Sequence, residues 1–570
     1  LNDLMAPHLI FSFLVVCVAA GAGPPANYLA ARAHLVAEAD ALRFDATSLD
    51  TGLDAAERLV NASLMALKQQ ERNASVFLPA TPFHTAKTAI RATALFAALE
   101  KLPKGGVLHL HWDSALSTEW AVNATYGAVG DSAVSVMFTG GAAKGARGSF
   151  WRGRSSSSSS SPRYNDMRFV EAAALPAARK AGWEPLAELR SAYGAGFDSA
   201  VVLNLTMGES DFEPASSPWE KFQGYFGAVA GVLTYRPVFE RYLAAVFDSF
   251  YSKAAGQNVQ YAELRFATGG LYDFEGGAAY SGVDMARLAG AAAAAAVQRS
   301  GGRFYGTRLI PAGFRGADAK GAAADIAATL EMQTAHPELV VGYDLVGQED
   351  GGWDLLHHAS ALLAAQVAVA KDTTNNGTLG LYLHAGETSW GGRGAPGCTD
   401  ADDGPGSDSG GSSVCSASTG AAARNLFDAA LLARRIGHGL ALPKYPTLMR
   451  RVADVQTSVA AIEVCPISNQ VLNYVSDMRD HPATAMLAAG VPITLSPDDP
   501  APLGYTSVTF DWWLAFVAWD IALAGLKQLA LNSIAHSALL PPQRAQLTVI
   551  WQREWASFIH TYAATLHGAR

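Results

Sequence analysis

Cysteine is scarce in this chain of 570 residues: there are four, at Cys17, Cys398, Cys415 and Cys465, and none between the first two. A disulfide framework cannot hold the first two thirds together, so the fold has to rest on a hydrophobic core. Charge is also sparse, at 16% of residues against 50% hydrophobic, with a formal net charge of -9. No basic run appears, which argues against a nucleic-acid binder. Beyond the N-terminus no apolar stretch reaches the length of a membrane span, and Ala289 to Val297 is apolar but too short. No Gly-x-Gly-x-x-Gly turn follows an early strand, which removes the usual sign of a dinucleotide-binding sheet.

The N-terminus carries an address. Leu9 to Ala20 is an apolar run of the length found in secretory leaders, and Ala20 and Ala22 stand two apart as small residues do before a cleavage site. Asp3 and His8 precede it, without Lys or Arg. Residues 1–23 therefore read as a signal peptide rather than a membrane anchor, and the protein is expected to be secreted and extracellular. Five Asn-x-Ser/Thr sequons, at Asn61, Asn73, Asn123, Asn204 and Asn376, agree with export and mark it as a candidate glycoprotein. Cys398 and Cys415 flank a Gly/Ser/Asp-rich loop and are positioned to pair in an oxidising compartment, whereas Cys465 ends an apolar run and reads as a small core residue.

Residues 24–100 read as helical, with apolar residues at three- and four-residue spacing over Ala30–Leu42 and Leu53–Gln70. Such a segment serves either as a contact to a second copy or as a helical cap on the main domain. Residues 115–217 are rich in Gly, Ala and Ser and include the serine run Ser155–Ser161, which marks an insertion, either a small accessory unit or an expanded surface loop. The remainder, residues 101–570, alternates short apolar strands with helical stretches. Strand candidates lie at 105–113, 259–265, 304–310, 339–344, 379–384, 435–438, 460–465 and 492–496. Eight strands alternating with helices predict an α/β fold, a parallel (β/α)8 barrel of the TIM type, with a doubly wound sheet as the alternative. The stretches Trp512–Leu526 and Pro541–Leu566 are predicted as helices whose Trp512, Trp513 and Trp519 serve packing.

Polar residues gather where these strands end. In a strand, residues i and i+2 share a face, so His109 and His111 project together, either as two structural histidines or as half of a metal site. His384 and Glu387 end the fifth strand, His438 the sixth, Asp344 to Glu349 the fourth, and Asp498-Asp499-Pro500 follows the eighth. The C-terminal rim of a barrel is where chemistry is assembled. A catalytic zinc takes about three protein ligands and keeps a place for water. His109, His111 and His384 offer nitrogen and Asp498 an oxygen. His438 is then free to orient or deprotonate that water, and Glu387 to move a proton. Asp499 diverges from its neighbour and can hydrogen-bond a substrate, and Gly347 lets a ligand approach its backbone N–H.

With Pro103-Lys104-Gly105-Gly106, His109-Leu110-His111-Trp112-Asp113, Tyr261-Ala262-Glu263-Leu264-Arg265, Gly342 to Asp350, His384-Ala385-Gly386-Glu387-Thr388, Arg435-Ile436-Gly437-His438-Gly439, Glu463 to Gln470 and Asp498-Asp499-Pro500 in order, the chain resembles the secreted adenosine deaminases, the adenosine deaminase-related growth factor group of the metal-dependent hydrolases. The resemblance spans about residues 100 to 515. It implies a (β/α)8 barrel with one Zn2+ held by His109, His111, His384 and Asp498. It implies Glu387 as proton donor to purine N1 and His438 as the group positioning a zinc-bound hydroxide for attack at C6, releasing ammonia and leaving inosine from adenosine, or from 2′-deoxyadenosine. Asp499 would contact N7, the Gly347 N–H would contact N3, and Asp113 and Trp219 would border the ribose. The group also implies a homodimer through the N-terminal helical segment and a cell-surface receptor or glycan bound by the insertion, although the disulfide usual in that insertion is missing here. Alternatives within reach are a deaminase of AMP or adenine, and a growth-factor-like signalling ligand on a deaminase scaffold. The His-x-Glu and Pro-Cys-x-x-Cys pattern of cytidine-type zinc deaminases is absent.

Overall fold

A computed structural model describes residues 26–46, 52–126, 133–138, 166–208, 211, 218–274, 280–370, 379–388, 419–454 and 460–568. The leader candidate, the serine run, Asn376 and the Cys398–Cys415 loop lie outside them.

Eight strands pair in parallel and in chain order: β1 (Gly106–His111), β5 (Tyr261–Phe266), β6 (Gly306–Phe314), β7 (Gly342–Val346), β8 (Gly380–Ala385), β9 (Arg435–His438), β10 (Ala461–Val464) and β11 (Ile493–Leu495). The remaining three, β2 (Ala133–Phe138), β3 (Met167–Glu171) and β4 (Trp183–Pro185), form a separate antiparallel sheet within the insertion. The large sheet curls until its edges meet. Leu110 bridges Asp498 in parallel, the His111 N–H donates to the Asp498 carbonyl at 3.1 Å, and the Asp498 N–H donates to the His109 carbonyl at 3.2 Å. The Ser496 hydroxyl accepts the N–H groups of Leu108 and His109 at 3.2 and 3.1 Å. The eight-stranded barrel expected from the alternation is thus present, and the seam that closes it runs through two of the candidate site residues.

Local sequence explains the entry into β1. Gly105 has φ +73°, and a Cβ there would come within 2.5 Å of the Ser533 hydroxyl and 2.7 Å of the Ala530 carbonyl, so only glycine lets the chain turn this close to the helix Leu523–Ala535. Lys104, fully buried, places its ammonium against three carbonyls, those of Leu99 at 2.8 Å, Leu102 at 3.1 Å and Gln257 at 2.7 Å. One donor group ties the N-terminal segment, β1 and the turn before β5. Lys104→Met, close in volume, leaves three acceptors unsatisfied and is expected to cost about 3 kcal/mol or more of folding stability, read as a lowered urea midpoint at unchanged slope.

The helix Ala26–Leu42 has no buried residue and exposes Tyr28, Leu29, Leu35, Val36 and Leu42. The following helix, Ala55–Arg72, behaves differently. A capping box, Asp54 with Glu57, starts it, and Val60 and Leu64 are buried in the main core. Its Lys68 ammonium reaches the carbonyls of Trp519 and Ile521 at 3.0 and 2.7 Å. Those two carbonyls point out of a break: the predicted helix from Trp512 to Leu526 is two, Thr509–Ala518 and Leu523–Ala535, with Trp519 in extended conformation at the end of the first. A distant lysine that takes the carbonyls stabilises the interruption, and local periodicity carries no sign of it. Trp512, Trp513 and Trp519 are buried, as packing residues should be. Asn61 lies inside the helix Ala55–Arg72 with its Oδ1 accepting the Leu523 N–H at 3.0 Å. Among the described residues no helix is long and apolar enough to cross a membrane.

Candidate functional site

The strand ends deliver the polar side chains to one place at the mouth of the barrel. Ligand atoms of His109, His384, His438 and Asp498 lie within 4.8 Å of one another, and a second such group joins His111, Asp498 and Asp499. The two groups share Asp498, so four histidines and two aspartates from β1, β8, β9 and the turn after β11 form one cluster. His109, His384, His438, Asp498 and Asp499 are buried, and His111 is the most open member.

Each ring is held by what lies beneath it. His109 Nδ1 is 2.8 Å from Glu463 Oε2, and His384 Nδ1 is 2.7 Å from Asp344 Oδ2. Two salt-bridged arginines keep both carboxylates ionised. Burial alone would raise the Glu463 pKa, but Arg265 and Arg435 hold it well below the usual range. Burial opposes Asp344 in the same way, and His384 and Arg265 drive its pKa down. A carboxylate accepts only, so each of these histidines carries its proton on Nδ1 and turns a bare Nε2 into the site. Burial, despite Asp344, brings the His384 pKa down to about 4, which keeps the ring neutral.

The inner atoms lack partners. His109 Nε2, His111 Nε2 and Asp498 Oδ1 are buried and make no hydrogen bond, although Asp498 Oδ1 lies 3.2 Å from His109 Nε2 and 3.4 Å from His111 Nε2. Three converging polar atoms without hydrogen-bond partners are costly to bury, and a divalent cation satisfies them together. The residues present therefore fit a metal site of histidine and aspartate. His438 at φ +61° and Asp498 at φ +62° are two of the four non-glycine residues with positive φ among those described, and the local strain this implies is concentrated at the cluster.

Glu387 stands beside the cluster. Its backbone N–H is held by Glu349 Oε1 at 2.9 Å, its Oε1 has no hydrogen-bond partner, and it lies 3.4 Å from His438 Nδ1. Burial first, then the charges of Asp498 and Glu349, raise its pKa well above the usual carboxylate range. Asp499 accepts the Ser114 hydroxyl proton at 2.6 Å and has its pKa raised by burial and by Asp498. Burial also raises the pKa of Asp113, whose carbonyl accepts from the Tyr225 hydroxyl at 3.2 Å. Trp219 is nearly buried and its indole N–H donates to the Tyr474 hydroxyl at 2.9 Å. Through Tyr225 and Trp219 the helix Pro218–Leu233 is tied to the loop after β1 and to Tyr474 beyond β10. Gly347, at φ +107°, could carry no side chain, because a Cβ would meet the Phe314 ring at 2.8 Å.

Sequence reasoning quoted Asp344, Glu463, Arg265 and Arg435 within motifs but gave them no part to play. Their register was the available signal. Arg265 pairs with His111 across β1 and β5, and Glu463 with Gly437 across β10 and β9, which puts charged residues inside a closed barrel where they must pair with each other.

Comparison with known proteins bears on the whole chain. The family model described as adenosine deaminase matches residues 418–550. Adenosine deaminase 2-A of Danio rerio is 31% identical over 534 residues, 90% of this chain and 92% of its own. Adenosine deaminase 2 of Homo sapiens is 30% identical over 544 residues, covering 93% of this chain and 92% of its own. A protein of Lutzomyia longipalpis called adenosine deaminase is 30% identical over 533 residues, 90% of each chain.

Proposed function

The chain belongs to the adenosine deaminase family, and from that premise we propose that it is an extracellular zinc enzyme converting adenosine and 2′-deoxyadenosine to inosine, or deoxyinosine, and ammonia. The observation that carries the reading is the convergence of unpartnered buried atoms, His109 Nε2, His111 Nε2 and Asp498 Oδ1, beside a carboxyl group, Glu387, whose pKa burial raises. His109, His111, His384 and Asp498 would hold the zinc. Bound there, it would supply a Lewis acid that brings the pKa of water towards neutrality.

The chain's own groups account for the rest. Glu387 gives its proton to purine N1, which makes C6 electrophilic. His438 orients the attacking water. Asp499, whose pKa is raised by burial and by Asp498, hydrogen-bonds N7, and the N–H of Gly347 reaches N3. Asp113 and Trp219 border the sugar. The helix Ala26–Leu42, with exposed Leu35 and Leu42, suits pairing of two copies.

The test is the loss of adenosine absorbance, with AMP, adenine and 2′-deoxyadenosine as comparison substrates. Dialysis against a chelator is expected to abolish turnover and added Zn2+ to restore it. His109→Ala is expected to lose bound metal and activity together, and full activity in that variant would remove zinc from the account.

A further inference from the structure

His438 differs from its neighbours in what lies beneath its ring. His109 and His384 are hydrogen-bonded to carboxylates, whereas the hydrogen bond of His438 Nδ1 is to the side-chain amide of Asn469 at 3.2 Å; Glu387 Oε1, 3.4 Å from the same nitrogen, makes no hydrogen bond to it. An amide can present either its oxygen or its nitrogen, so the tautomer of His438 depends on which way Asn469 is turned.

The direction follows from the far end of the chain of contacts. His481, buried in full, has its Nδ1 3.0 Å from the backbone N–H of Ala483, in the first turn of the helix Ala483–Ala488. A backbone N–H only donates, so His481 Nδ1 accepts and the proton of a neutral ring is on Nε2. That Nε2–H points at Asn469 Oδ1, 3.1 Å away. The oxygen of Asn469 is thereby committed to His481, and its NH2 group is left facing His438. His438 Nδ1 must accept, so its proton sits on Nε2, aimed into the site towards Asp498 Oδ2 at 3.9 Å. That distance is too long for a direct hydrogen bond and leaves the proton available to an oxygen between them.

We propose that His481 and Asn469 are positioning residues that fix His438 as an Nε2–H donor, and thereby sort the four clustered histidines into metal ligands and one proton donor. A ring with Nε2–H cannot offer that nitrogen to a metal, so His438 is excluded as a ligand through its inward atom even though it lies within ligand distance of the others. The carboxylates under His109 and His384 produce the opposite tautomer and leave Nε2 bare for metal. The sorting is done by the chemistry of the supporting group, acceptor or donor, and not by the position of the rings. Its kinetic consequence rests on the deaminase reading above, but the tautomer does not.

Asn469→Asp is the decisive change, because it is isosteric and replaces the donor by an acceptor. The carboxylate accepts from both rings and pulls the His438 proton onto Nδ1. For this variant kcat for adenosine is expected to fall about 100-fold or more, on the scale of a misplaced tautomer or general acid–base group, with KM within about 2-fold and metal content unchanged. His481→Leu removes the donor to Asn469 and is expected to lower kcat about 10-fold, the lower end of a supporting contact's worth. His481→Gln, whose amide can still donate to Asn469 Oδ1, is expected to recover most of it. Equal kcat in Asn469→Asp and the unchanged chain would overturn the proposal. So would a His481→Gln variant no more active than His481→Leu, since that would assign the loss to packing. Independently of turnover, 15N shifts of histidine-labelled protein are expected to show one ring moving from Nε2–H to Nδ1–H in Asn469→Asp. If no ring changes form, the relay is wrong whatever the activity. If the ring changes while the unchanged chain deaminates no purine, the relay stands and the deaminase reading falls.

Discussion

Glu387→Gln is expected to keep its metal while kcat for adenosine falls by about 10²- to 10⁴-fold, the range that a positioned acid contributes. Glutamine retains the shape and the backbone hydrogen bond to Glu349, so the fold and the cluster of ligands should persist. It cannot deliver a proton. The native side chain is suited to that task by its surroundings: it is buried, and Asp498 and Glu349 add negative charge nearby, so it holds its proton to higher pH than an exposed glutamate would. Steady-state kinetics with metal analysis on the same sample checks both halves. Near-normal turnover with metal in place would remove Glu387 as the acid.

The second large effect is expected in stability. Glu463 lies between two buried guanidinium groups, 2.6 Å from Arg265 Nη2 and 2.5 Å from Arg435 Nε, and also supports His109. Arg265 reaches Asp344 at 3.0 Å, and Arg435 also reaches Glu263. Removing the charge while keeping the volume, as in Glu463→Gln, takes from both buried arginines the carboxylate they share and leaves each with one, Asp344 for Arg265 and Glu263 for Arg435. Breaking a buried pair in this way costs about 3–5 kcal/mol. A urea midpoint lowered accordingly is the expected result, with metal affinity weakened about 10- to 100-fold as the support of His109 changes. An unchanged midpoint would mean that water reaches this network and solvates the arginines.

The strand pattern was legible because each barrel strand is a short apolar run, and the rim residues stood out because polar side chains interrupt apolar runs at matching places. His109 and His111 show the reach of that logic: alternation places both on one face, and the structure puts both against Asp498. Other features were out of reach for physical reasons. The break at Trp519 depends on Lys68, far away in the chain. The position of Asn469 depends on His481, and the role of that histidine depends on a backbone N–H that no side-chain pattern encodes. The insertion's composition left open a small accessory unit or an expanded surface loop, and Val136, Val170 and Ala178 form a small core of their own among its described residues.

The barrel seam has a consequence for how the protein matures. The backbone bonds that join β1 to the turn after β11 involve His109, His111 and Asp498 themselves, so the first ligands made during synthesis wait for the last. A chain stopped before residue 498 would carry three of the candidate ligands and still have no cavity to hold an ion. Metal uptake at this cluster would therefore report completed closure of the barrel, and only molecules that had finished folding would load the ion.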